Sequence, residues 1–225
     1  RIPEDKEFII VASPSLYLAD TIKKIANVKG ITDGSTVIVA LTKGFVPSSS
    51  GPKLVLETIE NELPEIYKGC TVYVAGPSHA EEVAMGKLTG LISACENPKN
   101  SIKVRELLKV PGIMPFSSFD VIGVQICAAA KNVVAVVYGA LDAIAETSKI
   151  FGDNTESFLF AAGLNEIQAL GMAMGATHPE TFTSISGVGD LDVTCKSKFG
   201  RNRRFGQDII KTDILSKFSN LDDLI

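Results

Sequence analysis

The segment from Asp120 to Glu146, DVIGVQICAAAKNVVAVVYGALDAIAE, constrains the fold more than any other part of the sequence. It lacks proline and is rich in alanine, so it is predicted to be helical. Nearly every side chain is apolar or small, and a helix that is apolar on all sides is buried. Lys131 lies near its middle, followed by Asn132. An unpaired charged lysine is costly to bury, so we expect Lys131 to have a partner, a lowered pKa, or both.

Two other interpretations of this helix are open at this point. Its length suits a membrane span, but polar side chains interrupt it and no second candidate span accompanies it. Alternatively, Lys131 could lie near the helix edge and extend its amine into water. The third interpretation is a lysine positioned for proton transfer, and the rest of the chain has to decide among them.

Composition narrows the class of protein. The chain has 225 residues, of which 45% are hydrophobic and 21% charged, which is typical of a globular protein with one or two domains. A net charge of −4 gives no general reason to expect nucleic acid or an anionic membrane as a partner. The four cysteines are far apart and form no C-x-x-C motif, and no His/Cys cluster has metal-ligand spacing. No signal peptide is recognisable, so we expect a cytoplasmic protein without a metal site.

Strand and helix patterns alternate through the first half of the chain. The predicted strands are Glu7 to Ser13, Ser35 to Thr42, Thr71 to Ala75, Gly90 to Cys95 and Gly112 to Phe116. The predicted helices are Leu16 to Val28, Lys53 to Leu63 and Asn100 to Leu108. This alternation predicts an α/β, Rossmann-like unit with a mostly parallel sheet over residues 1–119. Ligands collect at the carboxyl ends of such strands, where Lys43-Gly44 and Gly76-Pro77-Ser78 lie.

The strand signal stops after about Phe119. The long helix is followed by a predicted helix from Asn154 to Gly175, with Asn154 or Thr155 as its N-cap. A glycine-punctuated turn, SGVGDLDVTC, then a basic run, KSKFGRNRRFG, and a final helical stretch complete the chain. We therefore predict an all-α domain over residues 120–225, with the boundary near Phe119.

The basic run is unusual in an acidic protein, with five cations within the nine residues from Lys196 to Arg204. Arginine binds phosphate through a bidentate fork, and a glycine such as Gly200 leaves backbone N–H groups open to an oxyanion. The alternatives are a solvated basic turn or a nucleic-acid patch. Only Phe199 and Phe205 could stack on bases, so a small phosphate is favoured over nucleic acid.

Other single residues have equally plain alternatives. Asp190, in its glycine-rich turn, could direct a carboxylate inward or simply cap a helix. Lys43 could be a surface lysine, and we do not select His79, because a lone histidine is more often structural than catalytic. Asp142 and Glu146 are most simply a polar edge of the long helix.

Five motifs occur in a characteristic order: LTKGF (41–45), GPSHAEEVA (76–84), AAAKNVVAV (129–137), SGVGDLDVTC (186–195) and GRNRRFG (200–206). Together they resemble NAD(P)-dependent glycerol-3-phosphate dehydrogenase of the bacterial type, over essentially the whole chain. The resemblance implies hydride transfer at C2 between sn-glycerol 3-phosphate and dihydroxyacetone phosphate, with NAD or NADP as cofactor. It also implies a role in supplying phospholipid synthesis and a possible homodimer through the all-α half.

The resemblance implies roles for the lysine of the long helix and for the groups around it. Lys131 would accept the proton of the C2 hydroxyl, with Asn132 beside it in the substrate site. Lys43 would bind substrate close to the nicotinamide, and Asp190 would lie beside Lys131. Ala80 would contact the cofactor.

The basic run would form the phosphate end of the same site. By resemblance, Gly200, Arg201 and Asn202 would bind the substrate phosphate, and Arg201 would also reach the cofactor. The remaining substrate contacts would come from Gly76, Ser78 and Thr194. Gly200 stands where many relatives have serine, which removes a hydroxyl ligand but keeps the backbone N–H.

The ionisation of Lys131 depends on opposing effects. Burial and a neighbouring cation such as Lys43 lower the pKa of a lysine, whereas a carboxylate such as Asp190 raises it. We expect only one of these charge partners to lie close to Lys131. A base for this reaction needs a pKa moved toward neutrality.

One feature of the family is missing from the sequence, the glycine-rich loop G-x-G-x-x-G/A after a first strand. Gly187-Val188-Gly189 follows no predicted strand. We therefore expect the chain to be an internal piece of such an enzyme and to be inactive by itself. Two alternative functions stay open: a related hydroxyacid dehydrogenase, which the Lys-Asn pair and the RNRR run disfavour, and a non-catalytic phosphate-ligand protein on the same fold.

Overall fold

The computed structural model describes residues 5–197 and 200–212. Lys198 and Phe199 of the basic run, and the part of the predicted final helical stretch beyond Thr212, lie outside the described residues. The strands are β1 Phe8–Val11, β2 Val37–Ala40, β3 Val72–Ala75, β4 Thr89–Ala94 and β5 Ile113–Ser118. The helices are α1 Leu18–Ile25, α2 Lys29–Thr32, α3 Val55–Asn61, α4 Ala80–Ala84, α5 Pro98–Leu108, α6 Val121–Ala145, α7 Asp153–Ala173, α8 Asp190–Lys196 and α9 Arg201–Lys211.

The five strands form one sheet in the order β1-β2-β3-β4-β5. Three of the four neighbouring pairs are parallel, and only β3 and β4 run antiparallel. The connection between β3 and β4 contains only the five-residue helix α4, which is about 7.5 Å long. So short a helix does not return the chain to the starting edge of the sheet, as a parallel crossover requires. The predicted α/β class with a mostly parallel sheet is confirmed.

Both faces of the central strands are covered. In β2, Ile38 and Ala40 belong to one core cluster, while Val37 and Val39 belong to another on the opposite face, and all four are buried. This explains why β2 has a continuous apolar sequence instead of an alternating one. Its carboxyl end, where Lys43 follows, is therefore held on a rigid support.

Helix α6 connects the two halves of the molecule. Val121, Val124 and Ala128 pack in the core beneath the sheet. Further along, Ile126, Val134 and other residues belong to a second core that is formed with α7 and α8. The helix passes the length and hydropathy test for a membrane span, but 67% of its apolar window is buried within the protein. Its apolar surface is thus used in packing, as the buried-helix interpretation predicted.

One prediction and one of the open alternatives differ from the structure. Helix α7 begins at Asp153 with Gly152 as its N-cap, so the prediction of Asn154 or Thr155 is wrong. The Thr155 hydroxyl instead accepts the Gly152 N–H at 3.3 Å, which is the reverse half of a capping box. The basic run is also not a turn, because α9 begins within it at Arg201.

Candidate functional site

Lys131 is buried within α6, with only 6% of its surface exposed. Its Nζ donates a hydrogen bond to Asp190 Oδ1 at 2.5 Å. The interpretation in which Lys131 extends to water is therefore wrong. The alanine-rich stretch that surrounds it allows close packing, and this packing is what forces the amine to find a partner inside the protein.

Asp190 provides that partner from the first turn of α8. It follows a π-helical segment, Ile185–Gly189, and is only 1% exposed. Gly189 is the N-cap of α8 and Asp190 makes no capping hydrogen bond, so the plain alternative of a helix cap is wrong. The Asp190 carboxylate is directed into the protein, toward two lysines.

Lys43 is the second of these lysines. Its Nζ lies 3.3 Å from Asp190 Oδ2 and 3.2 Å from the Gly76 carbonyl oxygen, which accepts its hydrogen bond. The Ser78 hydroxyl donates to the same carbonyl at 3.0 Å. Lys43 follows β2 and Gly76 follows β3, which are parallel neighbours, so the structure brings the two strand ends together.

Asp190 uses one carboxylate oxygen for each lysine, so the expectation of a single close charge partner is wrong. Burial lowers the pKa of Lys131 to about 8, with Lys43 also lowering it and Asp190 opposing both. Desolvation is the largest of these effects because the amine lies in a closely packed interior. Near neutral pH, the site can thus exchange a proton at Lys131 without leaving Asp190 unpaired.

The first turn of α9 forms the opposite wall of the site. Asn202 Nδ2 donates to Asn132 Oδ1 at 2.9 Å, which ties α9 to α6 beside Lys131. Arg201 is exposed at the start of the helix. The first-turn N–H groups of a helix have no intrahelical acceptor, so this end of α9 favours an anion.

One prediction about this wall is wrong. The Gly200 N–H is not open to a ligand, since it donates to the Ser197 carbonyl oxygen at 3.1 Å. The Thr194 hydroxyl donates to the Asp190 carbonyl at 2.6 Å. Both residues line the site, but these donors are already used in shaping the ends of α8 and α9.

The basic run is divided between two tasks. Arg201 and Arg204 face the site, whereas Arg203 forms an ion pair with Asp142 of α6 and donates to the Lys196 carbonyl at 2.9 Å. Gln207 Nε2 also donates to Asp142, at 3.2 Å. This pairing was not predicted, because Asp142 has the position of a polar helix edge in the sequence. In a helix that begins after Gly200, Arg201 and Arg204 lie on one face and Arg203 lies on another. This spacing is the sequence signal that would have indicated the Arg203–Asp142 pair.

These groups surround a cavity of about 520 Å³. Its lining contains the expected residues Lys43, Ser78, Ala80, Lys131, Asn132, Asp190, Thr194, Gly200, Arg201 and Asn202. Gly76 is not in the lining and contributes through its carbonyl oxygen. Four further lining residues were not selected from the sequence: His79, Glu81, Val193 and Arg204. His79 Nε2 lies 3.3 Å from the Val193 carbonyl oxygen, so it links the loop after β3 to α8.

A second cavity of about 460 Å³ lies between α3 and α6. Its ionisable lining groups include Glu57, Glu60, Lys68 and Glu96, and it contains neither lysine of the Asp190 cluster. The cavity around Lys131 is the one in which a base, a second cation and an anion-binding helix end converge.

Both halves of the chain resemble known proteins. The family model described as the N-terminus of NAD-dependent glycerol-3-phosphate dehydrogenase matches residues 2–101, and the model of its C-terminus matches residues 120–223. The chain is similar to glycerol-3-phosphate dehydrogenase (NAD(P)+) of Treponema denticola, with 60% identity over 100% of this chain and 65% of that protein. It is 52% identical to the corresponding protein of Treponema pallidum over 97% of this chain and 64% of that one.

A solved structure is similar over nearly the whole chain. The crystal structure of glycerol-3-phosphate dehydrogenase from Coxiella burnetii superimposes with a TM-score of 0.78 at 28% identity, covering 97% of this chain and 64% of that one. The chain thus spans just under two thirds of the length of these relatives. Because matching models cover both halves, the chain belongs to the NAD-dependent glycerol-3-phosphate dehydrogenase family.

Proposed function

We propose that this chain forms the substrate site of an oxidoreductase that interconverts sn-glycerol 3-phosphate and dihydroxyacetone phosphate. The observation that carries the proposal is the Asp190 carboxylate, which pairs with Lys131 and Lys43 at the base of a cavity whose wall bears Arg201. A base, a polarising cation and a phosphate-binding wall are the three elements that this reaction requires of a protein.

Lys131 is proposed as the group that moves the proton. With a pKa of about 8, roughly a tenth of the amine is neutral at pH 7 and about half at pH 8. The neutral Lys131 Nζ accepts the proton of the C2 hydroxyl as the hydrogen on C2 departs with its electron pair. In the reverse direction the Lys131 ammonium returns this proton to the oxygen on C2. Asp190 stabilises the ammonium and keeps Nζ directed at the site.

Lys43 has a different proposed role. Its ammonium lies beside Asp190 and is partly exposed to the cavity, so it can attract the negative charge that develops on the C2 oxygen. It also helps to keep the pKa of Lys131 low. One carboxylate between two lysines leaves the cluster with excess positive charge, which favours an anionic substrate.

The phosphate is proposed to bind at the start of α9. Arg201 supplies a guanidinium fork, Asn202 an amide, and the helix an N-terminal partial positive charge. Asn132 holds the Asn202 amide at 2.9 Å, so the phosphate wall has a defined distance from Lys131. Binding the phosphate remote from C2 would orient C2 toward the base. Gly76, Ser78, Thr194 and Gly200 are proposed to shape the substrate pocket between the two ends.

The residues present fit the nicotinamide end of NAD or NADP. Gly76 has a φ of +135°, and a Cβ there would lie 2.6 Å from the Gly90 carbonyl oxygen, so only glycine fits where β3 ends beneath the cavity. Lys43, Ala80 and Arg201, which the resemblance assigns to the cofactor, line one cavity. When bound there, the nicotinamide supplies the hydride acceptor or donor.

The cellular setting follows from the same proposal. We infer a cytoplasmic enzyme that supplies glycerol 3-phosphate for phospholipid synthesis, has neither a nucleic-acid partner nor a membrane span, and forms a homodimer through its all-α half. We also propose that the dinucleotide-binding part of the chain ends near Phe119 and that the substrate domain begins at Asp120.

The activity is tested with protein expressed from the full reading frame. It is mixed with dihydroxyacetone phosphate and either NADH or NADPH, and the absorbance of the reduced nicotinamide is followed. We expect oxidation that depends on the phosphorylated substrate. Absence of oxidation under conditions in which the Treponema denticola relative is active would refute the proposal.

The phosphate wall is tested separately with two substrates. An Arg201→Ala variant should lower kcat/KM for dihydroxyacetone phosphate by about 10–100-fold, because a charged hydrogen bond is lost. The variant should leave the slow reduction of dihydroxyacetone, which lacks the phosphate, unchanged. Arg105→Ala, which removes a partly exposed arginine of α5 outside the cavity, is the matched control and should change neither rate. Equal loss with both substrates would contradict the phosphate role of Arg201.

A further inference from the structure

The segment that leads into Asp190 begins five places earlier in the chain, at Ile185. Ile185 is the first residue of the π-helical segment that ends at Gly189, directly before Asp190. Its side chain does not enter the substrate cavity. It packs instead on the sheet, beside the core that includes Ala75 and Ile92.

Two glycines make room for Ile185 on the sheet. A Cβ at Gly90 would lie 3.4 Å from both Cδ1 and Cγ2 of Ile185, and a Cβ at Gly76 would lie 3.4 Å from Cγ2. These distances lie at the lower limit of ordinary van der Waals contact, so Ile185 rests directly on backbone that has no side chain. Gly90 lies inside β4 without a positive φ, so its glycine is explained by this close approach and not by backbone strain.

The rest of the π-helical segment is equally confined. A Cβ at Gly187 would lie 2.0 Å from the Phe182 carbonyl oxygen, and the Gly189 N–H donates to the Ser184 carbonyl at 3.2 Å. Gly189 also lies beside the ring of Pro77. A segment fixed at so many points transmits a displacement at Ile185 to the residue that follows it, because closely packed interiors yield little.

We propose that Ile185, seated on Gly76 and Gly90, is a positioning residue that holds the Asp190 carboxylate between Lys131 and Lys43. Its importance for turnover rests on the proposed function of Lys131, whereas the contact itself does not. Gly76, one of the two glycines beneath Ile185, also accepts the Lys43 hydrogen bond through its carbonyl oxygen. Ile185 therefore joins the strand end that binds Lys43 to the segment that leads to Asp190. One packing contact thereby sets both partners of the carboxylate.

The effect is measurable because the Asp190–Lys131 distance determines how far the carboxylate offsets the burial of the amine. The ionisable groups that face this pair are Lys43, Tyr73, Cys127 and Cys195. The thiols and the phenol have raised pKa values and stay neutral near pH 8, so Lys43 and Asp190 are the charges that act on Lys131. Moving Asp190 away by about 1 Å lowers the pKa of Lys131 by roughly one unit.

The test is a pH titration of the Lys131 side chain by ¹³C/¹⁵N NMR in the 225-residue chain, without substrate or cofactor. Lys131→Met identifies the signal. Gly90→Ala, which adds a methyl group against Ile185, should displace the segment by a few tenths of an ångström and lower the pKa of Lys131 by about 0.3 unit. The double variant Gly90→Ala/Ile185→Val, which removes Cδ1, one of the two Ile185 atoms nearest the new methyl, should recover part of the native value.

Ile59→Val is the matched control, because it deletes the same methyl group from the same core at a fully buried position in α3. It should leave the Lys131 titration unchanged. An unchanged Lys131 pKa in folded Gly90→Ala, or an equal shift in Ile59→Val, overturns the proposal. If Gly90→Ala does not fold, Ile185→Ala decides the question, and an unchanged titration there also overturns it. Because the readout needs no turnover, its failure is distinct from failure of the proposed activity.

Discussion

Two ion pairs on helix α6 have opposite properties. Lys131 pairs with Asp190 in the cavity, and Asp142, about 16 Å further along the helix axis, pairs with Arg203 of α9. The pKa of Lys131 is lowered, chiefly by burial, whereas the pKa of Arg203 is raised, chiefly by its hydrogen bond to Asp142. A carboxylate beside a cation thus does not determine the direction of the shift.

The difference is explained by exposure and by the number of cations. The Lys131 side chain is 7% exposed and shares its carboxylate with Lys43, whereas the Arg203 side chain is 19% exposed and has Asp142 with further polar neighbours. Desolvation exceeds the attraction in the first pair but not in the second. The first pair can therefore change its protonation state, while the second keeps its charges and joins two helices.

The joint between α6 and α9 is also unusually close. A Cβ at Gly139 would lie 1.9 Å from the Arg203 carbonyl oxygen, and a Cβ at Gly206 would lie 1.9 Å from the Val136 carbonyl oxygen. With backbones so close, α9 has a fixed position on α6, and Arg201 and Asn202 are held at a fixed distance from Lys131. The Asp142–Arg203 pair and the close contact of the two helices thus support the site without entering it.

The largest difference between the pairs should appear in turnover. Lys131→Met, assayed in protein from the full reading frame, should lower kcat on the order of 10³-fold, since general acid–base catalysis contributes about that factor. The circular dichroism spectrum should remain native. Lys109→Met, at an exposed lysine, is the control and should keep native turnover. Native turnover in Lys131→Met would remove Lys131 from its proposed role.

The joint should be sensitive to a single added methyl group. Gly139→Ala should destabilise the protein by about 2–3 kcal/mol, because overpacking forces α6 and α9 apart. The apparent KM for dihydroxyacetone phosphate should rise, since Arg201 and Asn202 move with α9. Urea unfolding and steady-state kinetics measure the two effects. Gly152→Ser, where a Cβ meets nothing within 4 Å, should be nearly neutral and serves as the control.

The Asp142 pair should matter for stability and not for proton transfer. Asp142→Asn should cost about 2 kcal/mol, the contribution of a hydrogen bond between charged groups, with the kcat–pH profile unchanged. Glu146→Gln disrupts the exposed pair with Lys211 and should change stability by less than about 0.5 kcal/mol. A shifted kcat–pH profile in Asp142→Asn would show that the two pairs on α6 are not independent.

The smallest effect is a pH dependence of stability. The folded pKa of Lys131, about 8, lies below its ordinary value of 10.5, so the unfolded chain binds more protons between these values. Stability from this group therefore rises with pH, by about 1 kcal/mol from pH 7 to 9. Urea midpoints at these two pH values should show this rise in the native protein, relative to Lys131→Met. Equal pH dependence in both proteins would contradict the lowered pKa.

Much of the fold followed from local patterns in the sequence. The order of strands and helices, the parallel edge that carries Lys43 and Gly76, and the burial of the long helix all depend on residues close together in the chain. The antiparallel β3–β4 pair did not follow, because strand direction depends on where the short α4 connection leads. The N-cap of α7 was missed because Thr155 caps from the third helical position.

The residues of the site were predictable as a set, but their hydrogen-bond and ion-pair partners were not. Arg203 was counted with the other cations of the basic run, which is continuous in sequence, whereas a helix directs its successive side chains to different faces. Gly200 was expected to offer its N–H, which the fold uses in a turn with Ser197. Only the first difference leaves a local signal, the helical spacing after Gly200, since the use of the Gly200 N–H depends on how α8 and α9 meet.

The sequence by itself determined that a lysine lies within an apolar helix and therefore needs compensation. Only the tertiary structure decided that the compensation comes from Asp190, 59 residues away in the chain, and that Lys43 shares it. The physical reason is that desolvation and Coulomb energies depend on distances of a few ångströms between segments remote in sequence. The apolar sequence around Lys131 indicates that its charge is buried, but the packing of α6, α8 and the ends of β2 and β3 sets its pKa.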